Sequence, residues 1–93
     1  MTVSFWIPGP LTSLTGGRSH VAVEMSGSTL RDALESLSAA HPGIRDRILT
    51  EKWEIREHVN VFVGQSEARS TGGLATPLAN GDEISIIPAI SGG

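Results

Sequence analysis

The chain has 93 residues, enough for one hydrophobic core and too few for two. With 39% hydrophobic and 18% charged residues it is too apolar and too weakly charged to remain disordered. Seven basic against ten acidic residues leave a net charge of −3, which argues against a nucleic-acid partner, and the lack of cysteine rules out disulfides, thiolate nucleophiles and cysteine-ligated metals.

The first run, Val3-Ser4-Phe5-Trp6-Ile7, alternates with Val3, Phe5 and Ile7 on one face, as a half-buried strand does, and stops at Pro8-Gly9-Pro10. A loop through Gly16-Gly17 leads to a second alternating run, His20 to Met25, so the two read as a β-hairpin. Beyond Gly27 the period changes. Leu30, Ala33, Leu34 and Leu37 follow helical spacing, Thr29 and Asp32 form a capping pair, and the helix ends near Ala40-His41 before Pro42-Gly43. Ile44, Ile48 and Leu49 predict a further short helical turn, and residues 51–58 a solvated connection pinned by Trp53 or Ile55. Val59, Val61 and Val63 alternate with Asn60, Phe62 and Gly64 in the next strand, and a short strand is expected around Glu67-Ala68-Arg69. Gly72-Gly73 to Leu78 form a turn-rich connection, Asn80-Gly81-Asp82 a tight turn, and Glu83 to Ile87 the last strand, which Pro88 stops. The order β-β-α-β-β-β predicts an α+β fold with one main helix across one face of a mixed sheet.

Catalytic constellations are missing. His20, His41 and His58 have no metal-ligand spacing, no Gly-x-Ser-x-Gly elbow surrounds any serine, and Gly16-Gly17 and Gly72-Gly73 lie outside any phosphate-loop pattern. The first residues lack a basic stretch followed by a long apolar one. No apolar run approaches the ~20 residues that a bilayer needs, so the expected address is the cytoplasm, with no membrane partner.

The distinctive feature is the terminal Gly92-Gly93. Composition leaves two readings open: a frayed end, or a thin tail made to enter another protein's active site. Glycines pass through a narrow channel because they lack Cβ, and the five residues after Pro88 span at most about 17 Å. A C-terminal carboxylate is a weak electrophile, but once joined to AMP its acyl carbon is open to attack by sulfur or an amine.

The element order, the segment Asn80-Gly81-Asp82-Glu83-Ile84-Ser85-Ile86-Ile87-Pro88 and the closing Gly92-Gly93 together resemble the MoaD/ThiS family of ubiquitin-like sulfur carriers. Val59 to Val63 matches the family's central strand. Gly72-Gly73-Leu74-Ala75-Thr76 looks most like the actinobacterial carrier that feeds sulfur to cysteine biosynthesis. The resemblance implies a β-grasp (ubiquitin-like) domain over residues 1–88 and a flexible tail over 89–93. It further implies that Gly93 is adenylated by an E1-like adenylyltransferase/sulfurtransferase using ATP and becomes a thiocarboxylate, with Gly92 and Gly93 as the tail residues required for that activation. Sulfur then passes to a biosynthetic enzyme, and no cofactor is bound by the chain itself. Two alternatives stay open: a ubiquitin-like modifier conjugated to lysines, and the small subunit of a molybdopterin synthase. The implied strand order places the last strand between the first and the Val59–Val63 strand. Alternation then puts Trp6, Phe62 and Ile87 on the sheet face opposite the helix, with Ile87 between the two aromatics. Beside Pro88 and Ile90, these residues are the expected docking patch for partner enzymes.

Overall fold

The computed structural model describes residues 1–88. Strand β1 (Thr2–Trp6) pairs antiparallel with β2 (His20–Glu24), Val3 opposite Val23 and Phe5 opposite Val21. Between them the chain winds through a 3-10 helix, Gly9–Thr15, where the sequence predicts only a loop. The main helix α1 (Leu30–Ala40) and the short α2 (Arg45–Ile48) precede β3 (Val59–Val63), β4 (Ser66–Glu67) and β5 (Glu83–Pro88). The sheet order is β2-β1-β5-β3-β4, so the last strand lies between the first and third, as expected. It runs parallel to β1 and antiparallel to β3.

α1 begins where the sequence places it, and the reason is local. The Thr29 hydroxyl accepts from the Asp32 N–H, while the Asp32 carboxylate accepts from the Thr29 and Ser28 N–H groups at 3.1 and 3.0 Å. The Thr29 hydroxyl and backbone hydrogen bonds, joined by that of Ser28, hold the Asp32 carboxyl below its ordinary range. Gly27 makes room for this cap. Its φ of +89° is open to glycine, and a Cβ there would lie 2.2 Å from Asp32 Oδ2.

The helix buries Leu30, Ala33, Leu34 and Leu37 against Val3, Phe5, Ile7, Val21, Val23, Val59, Val61, Ile84 and Ile86, so the predicted core is found with one exception. Val63 is only half-buried, packed at the margin of the core beside the turn into β4. The expected strand at Glu67-Ala68-Arg69 is also shorter than predicted. After Ser66–Glu67 the chain enters a 3-10 turn, Ala68–Ser70, that buries Ala68. Met25, Ile44, Ile48, Leu49 and Leu78 complete the core.

The connection over residues 51–58 is pinned by both Trp53 and Ile55, which are half-buried against the core. Trp53 takes a left-handed φ of +59°, unusual for a bulky residue, and carries the guanidinium groups of Arg31 and Arg45 at 4.7 and 4.5 Å from its ring.

The turn Asn80-Gly81-Asp82 fastens β5 to β1. Gly81 N–H donates to Thr2 O (2.8 Å), Ser4 N–H to Asp82 O (3.0 Å) and Thr2 N–H to the Asn80 side-chain oxygen (2.9 Å). These bonds lead into the register Ser4↔Glu83, Phe5↔Ile84, Trp6↔Ser85, and thus fix β5 alongside β1. Among the described residues, no helix is long and apolar enough to cross a membrane.

Candidate functional site

Strand alternation divides the sheet into a face under α1 and an outer face. The outer face carries Trp6, Ser85 and Phe62 in one row across three strands, since Ser85 pairs with Trp6 on one side and Phe62 on the other. His20 and Glu67 extend the row to β2 and β4. Trp6 and Ile87 are each 47% exposed, while Phe62 is half-buried.

The three apolar residues therefore share the expected face, but their arrangement differs from the expectation. Ile87 does not lie between Trp6 and Phe62. It pairs with Asn60, one row nearer the end of β5, and Ser85 occupies the middle position. The side-chain period of two fixed the face correctly, whereas the row depends on a long-range register. Pro88, the last described residue, belongs to β5, one position beyond the expected end at Ile87, and lies opposite Val59, whose N–H donates to Arg56 O (3.0 Å). A proline fits there because this pair draws no ladder bond from the Val59 N–H and β1 no longer pairs alongside.

Two concavities meet at Pro88. One is an apolar groove of about 380 Å³ on the outer face, lined by Trp6, Ile7, Pro8, Ser85, Ile87 and Pro88. The Trp6 ring lies 5.2 Å from that of His20, whose Nε2 is 3.8 Å from Glu83. The other is a polar groove of about 710 Å³, lined by Asp46, Arg47, Thr50, Arg56, His58 and Pro88. Sequence reasoning missed Ser85, Ile7 and Pro8 in the first. Ser85 was detectable, because it shares the parity of Ile87. Arg47 and Arg56 carried no sequence signal, since helix and loop residues reach the end of a strand only through the tertiary fold. Ile90, Gly92 and Gly93 lie outside the described residues, as does the expected tail 89–93.

A five-stranded mixed sheet in the order β2-β1-β5-β3-β4, crossed by one main helix, defines a ubiquitin-like protein of the β-grasp class. The chain belongs to the ThiS family, whose model matches residues 5–93. It is 37% identical over 95 residues to the sulfur carrier protein CysO of Mycobacterium tuberculosis, covering 100% of both chains. The small archaeal modifier protein 1 of Haloferax volcanii is 36% identical over 84 residues, or 89% of this chain and 91% of that one. In structure, a chain of the Amycolatopsis orientalis BexX/CysO complex superposes with a TM-score of 0.88 at 33% identity, covering 98% of this chain and 99% of the other. These relatives are small carriers and modifiers, and this chain is of the same kind, not a catalyst.

Proposed function

We propose that the protein is a sulfur carrier whose C-terminal Gly93 is activated and then loaded with sulfur. The observation that carries this reading is the end-to-end likeness to CysO in a chain that closes on Gly92-Gly93. In the first step a Gly93 carboxylate oxygen attacks the α-phosphorus of ATP on an E1-like adenylyltransferase, forming the acyl adenylate and releasing pyrophosphate. In the second, sulfide attacks the acyl carbon and AMP leaves with its electron pair, so one carboxylate oxygen is replaced by sulfur. The thiocarboxylate then delivers that sulfur to an acceptor enzyme making cysteine or another sulfur-containing metabolite. A relative forms a complex with BexX, which supports a carrier that binds partner enzymes.

The carrier's own residues supply position. The Asn80-Gly81-Asp82 turn holds β5 in register, and Pro88, the last described residue, lines both grooves. Trp6, Phe62 and Ile87 supply apolar contact, with aromatic side chains as binding anchors.

ATP–pyrophosphate exchange catalysed by the cognate adenylyltransferase tests the first step. Exchange should require this chain and vanish when Gly93 is deleted or Gly92 is replaced by valine, while the fold persists. Exchange undiminished by deletion of Gly93 would refute the proposal. The likeness to an archaeal modifier favours a second reading, in which the activated Gly93 is joined to a lysine of another protein. Isopeptide-linked adducts that depend on Gly93 would support it. Chains of the protein itself could grow through a lysine only at Lys52, its single lysine.

A further inference from the structure

We infer that Arg47 and Arg56, in the polar groove at the base of the tail, dock onto a carboxylate-bearing rim of the activating enzyme. The inference rests on the sulfur-carrier reading and adds a second, electrostatic contact to it.

Charge and position together distinguish this pair, since Arg18 and Lys52 also lack a carboxylate partner among the described residues but do not line this groove. The protein is acidic overall, and Arg31, Arg45 and Arg69 are neutralised by Glu35, Asp46 and Glu67 at 3.3, 3.4 and 3.5 Å. Among the described residues Arg47 and Arg56 form no ion pair with a carboxylate, yet both line one groove. Two carboxylates also face that groove, Asp46, engaged by Arg45, and Glu57, so the groove is balanced in formal charge but presents two guanidinium groups with no carboxylate within ion-pair distance among the described residues.

The groove is also rigidly placed. Arg56 Nε donates to Asp46 O (2.7 Å), its N–H to Ile48 O (2.9 Å), and its carbonyl accepts from Val59 N–H and from Arg69 Nη2 (2.7 Å). Val59 pairs with Pro88, so Arg56 sits at a fixed position beside the last described residue.

Tail length identifies the occupant. Gly93 lies five residues beyond Pro88, a reach of at most about 17 Å, so an enzyme that takes Gly93 into a nucleotide site must come close to the surface around Pro88. That surface is apolar on one side and presents the guanidinium groups of Arg47 and Arg56 on the other. A partner meeting both offers apolar side chains to Trp6 and Ile87 and carboxylates to Arg47 and Arg56.

The test measures ATP–pyrophosphate exchange with the cognate E1-like adenylyltransferase as a function of carrier concentration, for the wild type, Arg47→Glu, Arg56→Gln and, as a control, Arg18→Glu. Arg47 makes no side-chain hydrogen bond among the described residues, so Arg47→Glu keeps the fold and carries the test even if Arg56→Gln does not. The inference predicts an apparent KM for the carrier raised about 5- to 30-fold by Arg47→Glu, with kcat unchanged and Arg18→Glu silent. It also predicts that the wild-type KM rises with salt more steeply than that of Arg47→Glu. An Arg47→Glu chain with wild-type KM would overturn the inference while leaving the carrier reading intact. One that is activated normally but delivers sulfur slowly would assign the groove to the acceptor enzyme and also overturn it. A wild-type chain that is never activated refutes the carrier reading itself, and the inference with it.

Discussion

Trp6 pairs with Ser85 across the parallel β1–β5 ladder, so the most exposed aromatic of the sheet stands beside a small side chain. Phe62 flanks Ser85 on the other side, which leaves a dip between two aromatic groups on the outer face. Truncating Phe62 to alanine should therefore weaken binding to the activating enzyme by about 1–3 kcal/mol. Calorimetric titration checks this, and an unchanged affinity would remove Phe62 from the interface.

Leu34 tests the opposite face. It is fully buried between α1 and the sheet, so Leu34→Ala removes contacts and leaves a cavity, at a cost of about 2–5 kcal/mol. Urea denaturation should show this loss, and a smaller one for the half-buried Phe62→Ala. Equal losses would mean that the two faces are not energetically distinct.

Gly27 and Asp32 test the helix start. Gly27→Ala forces a Cβ into a left-handed conformation and against the Asp32 carboxylate, with backbone strain alone worth about 1–2 kcal/mol. A thermal midpoint equal to that of the wild type would contradict the cap geometry.

The same cap has a pH signature. The folded chain holds the Asp32 carboxyl below its ordinary value of 3.8, so its contribution is present above that value and is lost as pH falls through the lower folded value. Asp32→Asn should thus be less stable than the wild type at neutral pH, and the gap should close on acidification below about pH 4. A gap independent of pH would show that the charge has no part in the cap.

Patterns confined to one element were legible in the amino-acid order. The alternation at Val3, Phe5 and Ile7, the Thr29–Asp32 cap and the Asn80-Gly81-Asp82 turn each depend on residues a few positions apart, and each is found. Quantities set between distant segments were not legible. The row occupied by Ile87, the continuation of β5 through Pro88 and the approach of Arg47 and Arg56 to the tail's base all require the β3–β5 register. Trp53 illustrates a third kind of gap. It combines a positive φ with Arg31 and Arg45, from two helices, stacked on its ring, and no local pattern announces either. The activated tail rests on resemblance and on the chemistry of Gly92-Gly93.

The most direct measurement of the central claim is the intact mass of the protein after incubation with the cognate adenylyltransferase, ATP and sulfide. The account predicts a gain of about 16 Da, localised to Gly93 by fragmentation and absent from a chain ending at Gly92, as one carboxylate oxygen is exchanged for sulfur. An unchanged mass under conditions that form the acyl adenylate, or the same gain in the chain lacking Gly93, would contradict it.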